Sequence, residues 1–468
     1  MLSIARKQIL EGLFNLKFLF VAAVVLAAFA ANGFIYAEKI ANERSDWQEL
    51  VNKNLADLSA DCGNLQEMSD FWQRVTRPAS TLSFIADDGA VRMPNLINVN
   101  AFFIQGIERQ SRDNEQIPLI PAFDWCFIVG VLMTLLAVLL GYDTICGEKR
   151  DGTLRLVLSN PVSRLSLFFG KYLGLLVIIT LTLLLGGLIS ITILVFNGIM
   201  MLNEQIVTVL LWSFLLGVSC LSLFLLLAMA VSGIVSRPAV SLVVITTTWV
   251  IILIAVPGLA RMVAEQSVAV PSPYEIEKNI SDSEINFWES SPDGAGNWSG
   301  DPFDWFMPGR AKLHLSIVSA KQRIIDSALT QKSLQMKTLN IFSSPSPAVL
   351  LSDSLQCLCN TGVYGFDNLI DYAGKYRNQL HTLVVERDRL DSESAHLVYC
   401  AEDGQTERRT FSTKPIDPST IPRWHTMWAA GGLPREQQWP VWQLVILFAL
   451  NLQMAILAFI ALLCYDPR

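Results

Sequence analysis

Side chains that could carry out a reaction are few in this sequence and form no recognisable catalytic motif. There is no H-E-x-x-H zinc motif, no G-x-S-x-G nucleophile elbow and no glycine-rich phosphate loop. The usual loop for hydrolysing ATP is therefore missing from the chain. We expect the chain not to be an enzyme by itself and to bind no cofactor of its own.

Cysteine and histidine are the remaining candidates for redox or metal chemistry. The four histidines are scattered singly without ligand spacing, so we predict no metal site. Four of the eight cysteines fall in two long polar segments, where an oxidising compartment would allow disulfides: these are Cys62, Cys357, Cys359 and Cys400. Because Cys357 and Cys359 are too close in sequence for an easy mutual bridge, we expect pairing with Cys400 or with Cys62.

The elements that would position any site are long apolar helices. Hydrophobic residues make up 52% of the chain and are gathered into runs of about 20 residues, the length that crosses a hydrocarbon core of ~30 Å as a helix. Such runs exceed the usual length of apolar helices in soluble cores. The sequence therefore predicts an all-α integral membrane protein with six transmembrane helices, at 17–37, 124–145, 167–196, 206–235, 239–259 and 441–463.

The segment that precedes the first apolar run has a distinctive pattern. Residues 1–16 place leucine and isoleucine at helical spacing with charged residues between them, which predicts an amphipathic helix in the membrane interface. A ragged extension of the first span is the alternative. The run is also followed by no Ala-x-Ala cleavage site, which favours a retained helix over a cleaved signal peptide.

Two large polar segments interrupt the spans, at 38–122 and 260–438. Apolar residues recur at helical spacing over Glu38–Met68, Ala311–Phe342 and Asn368–Leu390, so we predict that both segments are rich in helix. The stretch Pro271–Gly309 is rich in Pro, Ser, Gly and Asp and is predicted to be loop. Two short runs between His396 and Ser412, separated by Asp-Gly, predict a small hairpin.

The charge distribution predicts the orientation in the membrane. The spans with their short loops and termini carry a net charge of +3, whereas 38–122 and 260–438 each carry −5, which together give the whole-chain value of −7. Because short cytoplasmic loops retain lysine and arginine, we predict that both termini are cytoplasmic and both large segments are extracytoplasmic. The acidity of these segments also argues against a nucleic-acid partner, which requires a clustered basic surface.

Ionisable side chains lie only near the ends of the predicted spans. Asp124 and Asp143 bracket the second span, and Lys17 and Lys171 are close to the ends of theirs. An ion-coupled secondary transporter would place such groups near the middle of the membrane. The energy source for any transport is therefore expected in a partner subunit.

The loop after the second span, 147–165, is the most informative stretch. Charged residues come first, then Gly152 and a helical run with Leu154 and Leu158 on one face, and then a proline-serine break. These features predict a short amphipathic cytoplasmic helix. A helix of this kind can bury its leucines in the groove of a partner.

This loop resembles the corresponding loop of the ABC-2 type permeases. That family has a glutamate, Gly-Thr-Leu, Leu-Ser-x-Pro-Val-Ser-Arg and Gly-Lys after its second span, as in Glu148, Gly152–Leu154, Leu158–Arg164 and Gly170–Lys171. The resemblance implies a coupling helix that contacts a separate nucleotide-binding ATPase carrying ATP and Mg, two permease chains per transporter, and a bacterial plasma (inner) membrane location. The expected coupling residues are Glu148, Arg150, Gly152, Thr153, Leu154, Leu158, Pro161 and Arg164.

Glu148 has two expected roles within this loop. It could favour the positive end of a helix dipole or pair with an arginine of the partner. The large polar segments, together with Ser344–Pro347, resemble a subgroup related to gliding-motility and copper-enzyme-maturation permeases.

We therefore predict the permease subunit of an ATP-driven exporter, one that exports a substrate or transmits motion to an extracytoplasmic partner. As a homodimer or heterodimer it would be embedded in the lipid bilayer. The alternative function is a membrane-anchored sensor or scaffold, which would have no ATPase partner.

Overall fold

The computed structural model describes residues 2–14, 16–87, 95–108, 122–159, 163–290, 308–392, 394, 412, 414–426 and 439–463. Within these residues, six helices are long and apolar enough to cross a membrane. We number them span 1 to span 6: Phe18–Asp61, Trp125–Arg150, Arg164–Phe196, Glu204–Ile234, Pro238–Ser267 and Val441–Leu463. The prediction of an all-α membrane protein with six spanning helices is confirmed.

The two ends of the bundle differ. We call the end at which span 1 begins and span 6 ends the terminal face, and the end from which the two large segments extend the segment face. The N-terminal helix, Leu2–Leu13, packs beside the beginning of span 3, where the backbone of Ala5 and the side chain of Gln8 approach Gly174 closely. The small residue at position 174 allows this helix to lie against the bundle.

Span 1 is part of a helix that extends far beyond the membrane. This helix runs unbroken from Leu16 to Asp61, and its 46 residues correspond to a length of ~69 Å, about twice the ~30 Å of a hydrocarbon core. A short helix, Leu65–Asp70, follows, with Asn64 as its N-cap accepting a hydrogen bond from the Glu67 amide. The projecting half of the long helix forms one wall of the domain on the segment face.

The first large segment also contains a small sheet that the helix-rich prediction missed. Strands β1 (Gln73–Thr76), β2 (Leu96–Val99) and β3 (Ile104–Glu108) are antiparallel in the order β1-β2-β3. Strands of four or five residues give only two or three alternations of apolar and polar side chains, too few for a clear period-two pattern. A long stretch of sequence between Thr76 and Leu96 further separates β1 from β2.

The two large segments pack together into one domain. Its core combines Val51 from the long helix Leu16–Asp61, Cys62 directly after that helix, Val75 and Ile97 from the sheet, and Tyr376 from the helix Gly362–Leu390. Tyr376 donates a hydrogen bond of 2.7 Å to Gln73 Oε1 across this core. The segments are therefore not independent of each other.

The second large segment is helical over most of its described residues, in the helices Pro273–Glu289, Pro308–Ser343, Pro347–Cys359 and Gly362–Leu390 and a 3-10 turn, Pro418–Thr420. The prediction of loop over Pro271–Gly309 was wrong for Pro273–Glu289. That helix begins with a capping box, in which Ser272 accepts from the Glu275 amide and Glu275 accepts from the Ser272 amide. The predicted hairpin between His396 and Ser412 lies almost entirely outside the described residues.

Two of these helices form a hairpin that enters the membrane bundle from the segment face. The descending helix, Pro308–Ser343, is joined to the return helix, Pro347–Cys359, by the Ser-Pro-Ser-Pro turn at Ser344–Pro347. The Pro347 carbonyl oxygen lies 3.6 Å from Cys220 Sγ in span 4. The return helix places Leu351, Leu355 and Leu358 in the same core as the spans. These leucines thus belong to the membrane core and not to the core of the domain, so the return helix is packed as part of the bundle.

Candidate functional site

The predicted coupling loop lies on the terminal face between spans 2 and 3. Span 2 ends at Arg150, and a short loop helix occupies Thr153–Ser159. Gly152 between them has a φ of +72°, a left-handed conformation in which other residues are strained. Span 3 begins after Ser163, which caps it by accepting from the Ser166 amide at 3.2 Å. Pro161 lies outside the described residues.

Glu148 forms a buried ion pair within the chain. Lys171 Nζ of span 3 lies 2.7 Å from Glu148 Oε2, and the lysine side chain is only 5% exposed. The same ammonium donates a hydrogen bond of 2.6 Å to the Thr144 carbonyl. Neither a helix dipole nor a partner's arginine is thus needed to balance Glu148, and the pair ties the end of span 2 to span 3.

A second set of bonds ties the end of span 2 to span 4. The Ser232 hydroxyl accepts hydrogen bonds from the Ile145 and Cys146 amides, both at 3.0 Å. Lys149 Nζ donates to the Gly233 carbonyl. These donors and acceptors lie where both helices end, so the bonds hold the two ends together.

Arg164, predicted to be a coupling residue, closes the end of span 6. Its Nη1 donates a hydrogen bond of 2.7 Å to the Leu463 carbonyl and lies 3.4 Å from the Leu462 carbonyl. The last carbonyls of a helix have no partner inside the helix, so a guanidinium there satisfies them. This contact joins the beginning of span 3 to the end of span 6.

The loop helix presents a different leucine to solvent than the sequence predicted. Leu154 is 1% exposed and packs in the membrane core of its own chain, so it does not form the expected docking face. Leu156 is 69% exposed. The side chain of Leu158 lies outside the described residues. Among the described side chains, a face containing Leu156 is therefore an apolar surface available on this helix.

Charged and polar side chains surround Leu156. Thr153 and Arg155 are exposed on the same short helix, and Arg150 and Asp151 are exposed just before it. Arg150 Nε donates to Asp151 Oδ1 at 2.8 Å, and this hydrogen bond lowers the pKa of the Asp151 carboxyl. Among the described side chains of the loop helix, Leu156 is thus the exposed apolar one, and it lies within a polar rim.

Sequence reasoning missed Lys171 and Ser232 as parts of this site. A lysine inside an apolar run is rare and normally has a partner, so Lys171 could have been matched to an acid near the end of span 2, such as Glu148. Ser232 carried no such signal, because small hydroxyl residues are frequent in membrane helices.

The opposite end of span 2 has its own buried polar cluster. Asp124 caps the span by accepting from the Phe127 amide at 2.9 Å, and its other oxygen accepts from the Asp87 amide at 2.7 Å. The Asp87 carboxylate accepts from the Tyr36 hydroxyl at 3.1 Å and pairs with Lys39, both on the long helix of span 1. This cluster fastens the beginning of span 2 to span 1.

The cysteines of the two large segments form no disulfide among the described residues. Cys62, Cys357 and Cys359 are buried and form no disulfide with one another; Cys62 lies in the domain core and Cys359 in the membrane core. Burial raises the pKa of the Cys62 thiol to about 11. Cys400 lies outside the described residues, and its pairing stays a prediction. Among the residues described, no group of His, Cys, Asp and Glu could hold a metal ion.

This architecture defines a multi-pass α-helical membrane protein with a fastened loop on one face and a folded domain on the other. The sequence model of the ABC-2 family transporter proteins matches residues 3–347, and the chain belongs to this family. The resemblance noted in the loop is thereby confirmed at the level of the family. The family match identifies the chain as an ABC-2 transporter permease.

Two curated relatives share a short stretch with this chain. Over 55 residues it is 49% identical to the "Probable ABC transporter permease protein NosY" of Pseudomonas aeruginosa and 46% identical to the protein of the same name from Stutzerimonas stutzeri. The aligned stretch covers 12% of this chain and 20% of each relative. The chain thus matches one fifth of the length of these relatives.

Proposed function

We propose that this chain is the permease subunit of an ABC-2 type exporter and that a separate ATPase, which binds ATP and Mg, drives it through the loop at 147–165. The observation that carries this proposal is the attachment of the loop region to three spans. Glu148 is tied to span 3, the Cys146 amide to span 4, and Arg164 to span 6. Because each tie reaches a different span, a push on the loop would displace several helix ends together.

The contact with the ATPase would centre on Leu156. A short helix with an exposed leucine can place that side chain in an apolar groove of a partner. Burying such a side chain contributes roughly 1.5 to 3 kcal/mol. The surrounding Thr153 and Arg155 would then fix the orientation of the loop helix.

The terminal face would lie in the cytoplasm of a bacterium, with the chain in the inner membrane and both termini cytoplasmic. The net positive charge of the spans and short loops supports this orientation, as does the net charge of −5 on each large segment. An ATPase can reach the loop helix only on the cytoplasmic side, where ATP is available. The domain would then face the extracytoplasmic space.

A second permease chain would complete the transporter. Span 5 supports a second chain, because only 11% of its most apolar stretch is buried within this chain. Its exposed apolar side chains include Val243 and Ile254. Such a surface can pack against a second copy or a related chain, or face lipid.

The projecting helix of span 1 favours a role in transmitting motion to an extracytoplasmic partner, in addition to substrate export. Leu16–Asp61 is continuous from the membrane into the domain, and Val51 and Leu58 of that helix lie in the domain core. Movement of span 1 would therefore tilt the domain as a unit. The alternative, a sensor or scaffold without an ATPase, does not explain why the loop is fastened to several spans.

The test is the recovery of the ATPase with a variant of the exposed leucine. In Leu156→Asp we expect at least about a tenfold loss of co-purified ATPase, since 1.4 kcal/mol corresponds to a factor of ten. The matched control is Leu202→Asp, because Leu202 is also an exposed leucine but lies on the segment face. If Leu156→Asp inserts normally and keeps a fully active ATPase, the loop is not the coupling element and the sensor or scaffold function is favoured.

A further inference from the structure

A cavity of about 410 Å³ lies between span 2, span 5 and the membrane-entering hairpin. Its size is within the range of small-ligand pockets, which is ~300 to 1,000 Å³. Most of its lining is apolar and comes from all three elements: Phe127, Val131, Leu253, Leu339, Ala348 and Val349. None of the contacts that fasten the coupling loop involves these residues.

Both spans change their helical geometry where they line this cavity. Span 2 has a π-helical stretch at Ile128–Met133, and span 5 has one at Ile251–Ala255. Such stretches are rare and are frequently found at functional sites. Gly130 and Leu253, one from each stretch, face the same cavity. The two irregular stretches therefore lie across a common space.

The depth of the cavity matches one leaflet of the bilayer. Arg261 lies 23 residues after Pro238, about 35 Å along span 5, while Leu253 lies about 22 Å along it. With a hydrocarbon core of ~30 Å, Arg261 is at the headgroup level of the segment face and Leu253 is within the acyl region. Gly258 and Arg261 are exposed, so the cavity opens on the outer side of span 5.

Polar groups occur at defined positions in this lining. The Arg261 guanidinium is at the shallow end; one of its nitrogens contacts Glu265 at 2.8 Å, and its other donors can bind an anion. Deeper in the cavity, Ser346 is fully buried and its hydroxyl has no hydrogen-bond partner. A buried hydroxyl without a partner is costly, which points to an acceptor on a bound molecule.

We propose that this cavity binds an anionic, ester-linked lipid from the leaflet on the segment face. The acyl chain would lie along Val131 and Leu253, the headgroup would contact Arg261, and an ester carbonyl would accept from Ser346. A lipid held there touches span 2, span 5 and the return helix at once. The site would thus stabilise the membrane-entering hairpin against the bundle, and it requires no ATPase partner.

The test uses the purified full-length chain and native mass spectrometry with a single added lipid. We expect delipidated protein to retain one phosphatidylglycerol per chain at least fivefold better than phosphatidylcholine of the same chain length. Glycerol phosphate, which has the charge but no acyl chain, should not bind. Equal retention of both lipids would overturn the assignment of Arg261, and binding of glycerol phosphate alone would overturn the acyl-chain site.

A matched pair of substitutions on span 5 tests the cavity itself. Gly258 lines the cavity and no atom lies within 4 Å of the position that its Cβ would take, so Gly258→Phe is the variant chosen to narrow the cavity. Its neighbour Leu259 is exposed and does not line the cavity, so Leu259→Phe is the control. We expect a tenfold loss of bound phosphatidylglycerol in Gly258→Phe and none in Leu259→Phe.

Two further variants serve as checks. One distinguishes misfolding from the filling of the cavity, and the other tests headgroup recognition. Ala348→Leu narrows the cavity from the return helix and should reduce binding in the same way, even if Gly258→Phe does not fold. Arg261→Gln should abolish the preference for phosphatidylglycerol over phosphatidylcholine. Wild-type binding in both cavity-filling variants would overturn the proposal and leave only lipid around the outside of the bundle.

Discussion

The two ends of span 2 are both held by a carboxylate, half-buried in Glu148 and fully buried in Asp124, but in different ways. At the terminal face, Glu148 forms an ion pair with Lys171 of another span. At the segment face, Asp124 accepts hydrogen bonds from the Asp87 and Phe127 amides. The first carboxylate is paired with a side chain of another span, whereas the second accepts from two backbone amides, one in its own helix and one, that of Asp87, far from it in sequence.

This difference indicates how each end can respond to force. An ion pair between two helices separates when one helix moves, and a buried charge left without its partner is costly. A carboxylate that caps its own helix moves together with that helix. We therefore expect span 2 to transmit motion through a firmly capped segment end and a terminal end whose connection to span 3 is specific.

The largest effect is expected from removing one member of the ion pair. Lys171→Met keeps the length of the side chain but leaves Glu148 uncompensated, which we expect to lower the free energy of unfolding by about 3 to 5 kcal/mol. The measurement is equilibrium unfolding in mixed micelles. The double variant Lys171→Met with Glu148→Gln should recover much of the loss, and additive losses would show that the two groups do not depend on each other.

A smaller effect is expected at the segment end. Asp124→Ala removes the acceptor for two buried amides, and we expect a loss of about 2 kcal/mol. Asp124→Asn keeps one acceptor oxygen and should lose less. The same unfolding assay applies, and a loss in Asp124→Ala as large as that in Lys171→Met would remove the contrast between the two ends.

The smallest effect is expected at the turn between span 2 and the loop helix. Gly152→Ala places a side chain on a residue with a φ of +72°, which costs about 1 to 2 kcal/mol. Because the turn is exposed, we expect faster hydrogen exchange at residues 153–159 rather than global unfolding. Gly258→Ala, at a helical position with open space, is the control and should leave exchange in this loop unchanged.

The spans and their order could be predicted because apolar length alone identifies a membrane helix. The helix Gly362–Leu390 was also found from its helical periodicity, although it begins six residues earlier than predicted. Pairings between distant residues could not be predicted in this way. Lys171 and Glu148 are 23 positions apart and carry no periodic signal, and Leu154 looks identical in sequence to a leucine on an exposed face.

The hairpin that enters the membrane shows a second limit. Its return helix, Pro347–Cys359, is only 13 residues long, too short to be recognised as a membrane helix by length. The Ser-Pro-Ser-Pro turn was visible, but its depth depends on contacts with span 4, such as that between Pro347 and Cys220. Local sequence does not encode such contacts.

One measurement tests most directly whether the loop at 147–165 couples this permease to an ATPase. A photoreactive amino acid is placed at Leu156 or, as the control, at Leu202 on the opposite face, and whole cells that produce the native complex are irradiated. The account predicts that position 156 cross-links to a nucleotide-binding subunit and position 202 does not. A cross-link to that subunit from position 202, or none from position 156 in cells that contain the subunit, would contradict it.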